Sequence, residues 1–358
     1  MPLIDALKGI AAQLIVLHHL ASYGALARAA EQFAPQTIDW LYGYGRIVVQ
    51  VFLVVAGFLA ARGLAPQGTP AVIQPAGMIW QRYVRLIVPF LFAVAIAVVS
   101  AALARVWMQD EFIPALPNIW QFLAHGLLLN GALGVPSLSA GIWYVAIDLQ
   151  LYALLVLLLW LASRFSADGV IRGRVALALV AVLAGFALFF FNRNPDYDLW
   201  GLYFFGSYAL GAFAYWGSQR KQMLGWMLLM TALTIAALLV DFRLRIGVAL
   251  MVALLLATAR YTGWLERWPS SSLPAFLGRI SYSVFLIHFP VCLLMNAVFV
   301  RFLDGTVEQA LAVFLLAWLI STLAGWLFYR HVECRQFTWS RRAHSSGLGR
   351  FIFEFRRG

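Results

Sequence analysis

Five side chains combine chemical reactivity with a costly address: Lys8, His18, His19, Asp148 and His288. All but Lys8 fall inside apolar runs, where an ionisable group is expensive and usually faces a bundle interior or a wet cavity. An imidazole with an ordinary pKa of about 6.5 takes up and returns a proton near neutrality, so a buried histidine suits general acid–base work. In IDALKGIAAQLIVLHH, the eleven steps from Lys8 to His19 come within about 20° of whole helical turns and span about 16.5 Å. Lys8 and His19 therefore share a stripe without touching. A long ligand with an anionic head at Lys8 and a reactive tip at His19 fits that spacing. His18 points about 100° away, which suits packing or a hydrogen bond to another helix.

Three further stretches add to this set. QRYVRLIVP carries Arg82 and Arg85 one turn apart; they either anchor lipid headgroups or, with Lys8, hold phosphates. GIWYVAIDLQLY places Tyr144 and Tyr152 one turn either side of Asp148, so a carboxylate lined by tyrosines, with Trp143 nearby, is available to bind a hydroxylated acceptor or to stabilise an imidazolium. In SYSVFLIHFP, Ser281 and His288 lie within about 20° of one helical stripe, presenting a hydroxyl and an imidazole for structure or substrate positioning. The blander reading of each group is a buried polar side chain bonded to a neighbouring helix. Cys292 and Cys334 are the two cysteines, with no CxxC spacing, so neither a disulfide nor a metal site is expected.

The elements that must position these groups are membrane helices. Of 358 residues, 63% are hydrophobic and 11% charged, a composition that a soluble domain of this length cannot hide. Continuous apolar runs occur at 8–26, 44–61, 84–104, 142–163, 175–192, 199–217, 223–240, 246–260, 281–300 and 308–330. Their continuity argues for helices rather than a barrel. The stretch 118–133 is short and flanked by Pro117 and Pro136. With ten spans and a cytoplasmic N-terminus, nineteen of the 26 Lys and Arg residues lie inside and seven outside; an eleventh span at 118–133 changes this to eight and eighteen. The positive-inside rule therefore predicts an all-α polytopic protein with about ten transmembrane helices, both termini cytoplasmic, and 118–133 re-entrant or interfacial.

The net charge of +11 is accounted for by arginines at membrane borders, so no nucleic-acid partner is expected. An A-x-A-like stretch at Ala25–Ala27 raises signal-peptide cleavage, but the n-region is weak and an uncleaved first span is expected. One membrane domain, 1–335, is followed by a short basic tail, 336–358, whose FIFEFRR either lies on the inner membrane surface or is disordered.

In order along the chain, these stretches resemble acyltransferase family 3, the integral-membrane acyltransferases. IDALKGIAAQLIVLHH is similar to the family's LDGLRGIAALLVVLFH, with Lys8 in the arginine's place and His19 in that of the motif histidine. QVFLVVAGF is similar to DLFFVLSGF, with Gln50 replacing the acid and Ala56 the serine. Arg82, Arg85 and Pro89 match RxxR followed by proline. WYVAIDLQLY is similar to WSLSVEEQFY, with Trp143, Gln150 and Tyr152 kept and Asp148 in the first acid's place. SYSVFLIHFP is close to SYSIYLIHxP, and YRHVECRQF echoes YxxIEKPF through Glu333 and Phe337.

The resemblance implies transfer of an acyl group, commonly acetyl, from cytoplasmic acyl-CoA to a hydroxyl of an envelope glycan or lipid-linked sugar, in a bacterial inner membrane. On that reading Lys8, Arg82 and Arg85 hold the CoA head, His19 is the general base, and Asp148 assists it. Trp143, Tyr152, Ser281 and His288 then line the substrate path. The rival reading is a proton-coupled transporter or flippase using intramembrane His and Asp, although no inverted repeat or pair of broken helices is seen.

Overall fold

In hydrocarbon a helix satisfies its own backbone hydrogen bonds, and a computed structural model describing residues 1–70, 74–218, 221–269 and 272–335 is helical throughout its regular structure. The helices are α1 (Pro2–Ser22), α2 (Gly24–Phe33), α3 (Pro35–Tyr44), α4 (Val49–Leu64), α5 (Pro75–Trp107), α6 (Ile119–Gly126) and α7 (Trp143–Phe165). They continue as α8 (Gly169–Phe189), α9 (Gly201–Gly217), α10 (Lys221–Val240), α11 (Leu244–Tyr261), α12 (Trp264–Arg267), α13 (Ser272–Phe302) and α14 (Val307–Phe328). Among the described residues, eight helical stretches are long and apolar enough to cross a membrane, and Leu224–Val240 is a shorter apolar one. Counting also the 17-residue α9, each of the ten apolar runs in the sequence coincides with a helix. The protein is a polytopic membrane protein.

Several boundaries differ from the apolar runs, for identifiable reasons. The first run extends to residue 26, but α1 stops at Ser22 because Tyr23 is extended and Gly24 has φ +84°. A side chain at Gly24 would also run into Asn296. α5 and α13 extend well beyond their apolar runs at the amino-terminal end, which brings Arg82 and Arg85 inside a helix. Both helices carry an internal proline, Pro89 and Pro290. Tyr282 donates to the Leu86 carbonyl at 3.2 Å, in the turn that Pro89 loosens. Within 118–133 the helix α6 has 8 residues, too few to cross about 30 Å of hydrocarbon. It packs on α5, where Tyr83 donates to the Gly126 carbonyl at 2.6 Å.

Two helix groups form the core. α13 packs closely on α1, α14 and α5, while α9, almost wholly buried, is surrounded by α4, α7, α8, α10 and α11. Glycine makes both central contacts possible, since small residues let membrane helices approach backbone to backbone. A Cβ at Gly278 of α13 would overlap the Asp5 carbonyl of α1; a Cβ at Gly57 of α4 would overlap the Tyr208 carbonyl of α9. The groups meet where α5 lies on α7 and α1 on α4. The basic tail 336–358 with FIFEFRR, and Arg220, lie outside the described residues.

Candidate active site

The α1–α13 contact brings two imidazoles together. His19 Nδ1 and His288 Nε2 are 2.8 Å apart, and His288 Nδ1 is 3.2 Å from the Val284 carbonyl. That carbonyl can only accept, so His288 carries its proton on Nδ1, and its Nε2 then accepts from His19 Nδ1–H. The proton order leaves the lone pair of neutral His19 on Nε2, which has no hydrogen-bond partner among the described residues. His19 is 7% exposed and His288 1%. Tyr23 stands edge-on to His19 with centroids 5.5 Å apart, and a Cβ at Gly141 would lie 3.4 Å from His19 Cε1. His18 is held differently: its Nδ1 lies 2.8 Å from the Leu41 carbonyl of α3. It is tied to a backbone carbonyl of α3, whereas His19 is tied to the imidazole of α13.

Asp148 and Arg82 are placed otherwise than the sequence suggested. Asp148 makes no contact with His19. Its carboxylate receives Arg82 Nη2 at 2.9 and 2.6 Å and Nε at 3.1 Å. Arg82 also lies over the Tyr152 ring, 5.3 Å from its centroid, with Tyr144 and Tyr208 in electrostatic range. The expected free basic cluster is therefore split, with Arg82 engaged by a buried carboxylate. Lys8 is 3.2 Å from Asp5, and Lys8 and Arg85 both lie in electrostatic range of Glu333. Glu333 accepts from the Ser283 hydroxyl at 2.6 Å. Ser281, expected on the same helical face as His288, donates to the Gly278 carbonyl at 2.9 Å.

Beside the imidazoles, on the side where α7 starts, a cavity of about 740 Å³ opens between the turns 128–137 and the first turn of α11. Trp143 lines it, stacked on Phe204 at 5.5 Å. Gln50 and Gln150 also face it, and both hold the scaffold: Gln50 accepts from Ser207 at 2.6 Å, and Gln150 accepts the Gly201 N–H at 2.7 Å. Gln50, in the place of an acid, thus ties α4 to α9. Sequence reasoning missed the cavity's arginines, Arg46, Arg243 and Arg245, because they served only as markers of the outer face. It also missed His125, whose ring pins α6 to the cavity wall by accepting the Leu138 N–H at 3.2 Å.

The chain is 24% identical over 202 residues to "Regulator of hypoxia-inducible factor 1" of Caenorhabditis elegans, covering 52% of this chain and 39% of that one. It is 25% identical over 178 residues to "Peptidoglycan O-acetyltransferase OatA" of Listeria monocytogenes serovar 1/2a, covering 46% of this chain and 25% of that one. The chain thus spans well under half the length of either relative. No solved structure matches it. A family model described as an acyltransferase domain matches residues 2–330, and the chain therefore belongs to acyltransferase family 3.

Proposed function

We propose that the protein moves an acyl group, in the first instance acetyl, from cytoplasmic acyl-CoA to a hydroxyl of a glycan or lipid-linked sugar, with His19 as general base. One observation carries this reading: His19 has its Nδ1 proton fixed by His288 and its Nε2 lone pair unengaged. Nε2 accepts the acceptor hydroxyl's proton as the oxygen attacks the thioester carbonyl carbon. The carbon–sulfur bond then breaks, and the imidazolium returns its proton to the departing thiolate, giving ester and free thiol. His288 works as a positioning residue, selecting the productive tautomer. The likeness to the Listeria O-acetyltransferase supports acetyl and a glycan hydroxyl as first substrates to try.

The donor side is the end of the bundle bearing Lys8 and Arg85, with Lys8 about 16.5 Å along α1 from His19. Cysteines introduced at Asp168 and Asn194 read the sidedness; cytoplasmic labelling at 168 and exterior labelling at 194 are expected. The chemical test is acyl-CoA-dependent thioester loss by purified protein, compared at equal amounts of folded protein. His19→Ala lowers turnover by about 10²–10⁴-fold while acyl-CoA affinity is kept. His18→Ala keeps the chemical step. Wild-type turnover in His19→Ala would discard the imidazole mechanism.

A further inference from the structure

The cavity beside Trp143 is cationic. Arg46 and Arg245 face it against a single carboxylate, Asp198, whereas Arg243 is held by Asp241 and by the carbonyls of Leu188 and Ala237. Arg46 is exposed and has no hydrogen-bond or ion-pair partner among the described residues. Arg245 donates through Nη2 to the Asn192 carbonyl at 2.8 Å and lies 5.0 Å from the Tyr203 centroid, but its buried Nε is unsatisfied. Arg245 as a residue lines the cavity, where an oxyanion meets its guanidinium by charge-assisted hydrogen bonds. The first turn of α11, which forms part of the wall, has no side-chain cap, so its N–H groups add to the positive potential.

A second orphan lies between the cavity and the imidazoles. Ser139 is 3% exposed and its Oγ has no partner among the described residues. It sits two residues from cavity-lining Ser137 and two from Gly141, which packs against His19. Arg46 connects the same two places, being in electrostatic range of Tyr203 on one side and of His19 on the other. Trp143 and Tyr203 line the same cavity, and aromatic side chains are of the kind that pack on a sugar ring.

We propose that this cavity is the acceptor site and that it selects a sugar bearing an oxyanion, a phosphate or a carboxylate, through Arg46 and Arg245. The anion is anchored at the two guanidiniums, the ring lies on the aromatic faces, and the hydroxyl to be acylated points past Ser139 toward His19. This rests on the acyl-transfer reading above, and it narrows the acceptor from any hydroxylated glycan to an acidic one.

The test is saturation-transfer NMR on the full chain in phosphatidylcholine nanodiscs, with glucose 1-phosphate, methyl glucuronide and neutral methyl glucoside as probes. The two anionic sugars bind, and the neutral one binds about tenfold more weakly, the difference expected from one charge-assisted hydrogen bond. Arg46→Gln and Arg245→Gln each remove about that factor for the anionic probes. Arg46 has no protein partner among the described residues, so its variant keeps the test readable if Arg245→Gln folds poorly. Equal binding of neutral and anionic sugars, or no loss in Arg46→Gln, overturns the proposal. A second arm repeats the measurement in nanodiscs containing phosphatidylglycerol. Unchanged sugar binding supports it, whereas loss of the signal assigns the cavity to a lipid headgroup phosphate and overturns it. Wild-type protein that binds the anionic sugars but shows no acyl-CoA-dependent thioester loss removes the acyl-transfer reading instead, so the two failures are told apart.

Discussion

Two charged regions, the Arg82–Asp148 pair and the cavity with Arg46 and Arg245, follow opposite rules. In the first, Arg82 and Asp148 close on each other with three hydrogen bonds. In the second, Arg46 and Arg245 present guanidinium groups to an open cavity, one of them with a buried N–H unanswered. A charge satisfied inside the protein holds the scaffold, because its field is already neutralised and its lone pairs are occupied. A charge left unsatisfied beside a cavity is available for a ligand. The adjacent histidines differ in what their Nδ1 meets: His18 meets a backbone carbonyl, that of Leu41, and His19 meets a second imidazole, that of His288.

If Arg82 and Asp148 hold the scaffold, removing one partner leaves a buried charge alone. Asp148→Asn or Arg82→Gln then costs about 3–5 kcal/mol of stability, whereas replacing both with apolar residues of similar volume is close to neutral. Thermal unfolding of Arg82→Met, Asp148→Leu and the double variant checks this, with acyl-CoA affinity measured on whatever remains folded. A stable double variant that binds acyl-CoA normally confirms a structural pair. A stable double variant that has lost acyl-CoA binding returns Arg82 to the donor site and breaks the comparison.

The next effect is smaller and sits at the centre. Without His288, no other described group fixes the His19 proton on Nδ1, and the ring is free to turn. His288→Ala therefore lowers turnover by on the order of 10²-fold, the scale of a misplaced catalytic group. Acyl-CoA affinity is unchanged. His288→Gln, able to accept the same N–H through its amide oxygen, recovers part of the loss. A purely structural role predicts instead that both variants lose stability and that turnover per folded molecule is unaltered.

Much of this was legible in the sequence, and what was not failed for physical reasons. Apolar run length reports hydrocarbon crossing, so the ten runs each found a helix. Run length says nothing of helix extent where charges are sheltered by neighbours, which is why α5 begins at Pro75 and not near residue 84. Helical periodicity sent His18 toward another helix, and its bond to Leu41 of α3 fits, because the angle is measured on one helix. Pairings between helices are another matter. Asp148 was expected near an imidazolium and Arg82 near a phosphate, but periodicity on α5 and on α7 cannot report their relative rotation. The His19–His288 contact was hidden for the same reason, although each residue had been singled out. The cavity arginines carried a signal that was read in one way only: at a span border the same charge marks topology and can also bind a ligand.

The smallest expected effect concerns Lys8, which stands between the two rules. It is partly exposed and 3.2 Å from Asp5, one turn away on the same helix, so its charge is shared rather than fully engaged. Exposed pairs of this kind contribute about 0.2–1 kcal/mol, so stability hardly changes when the pair is lost. If Lys8 also touches the donor head, Lys8→Ala weakens acyl-CoA binding by only a few-fold, roughly the loss of one screened point charge. The loss then shrinks as salt is raised through the physiological range, because the Debye length falls to about 8 Å at 0.15 M. Asp5→Asn moves affinity the opposite way by freeing the ammonium, and Lys8→Arg keeps wild-type affinity or improves it by adding a second donor. Titrations of acyl-CoA at two ionic strengths against these three variants decide the matter. Salt-independent affinity, equal across all three, places Lys8 with Arg82 and Asp148 as part of the scaffold and leaves Arg85 as the remaining basic residue for the donor head.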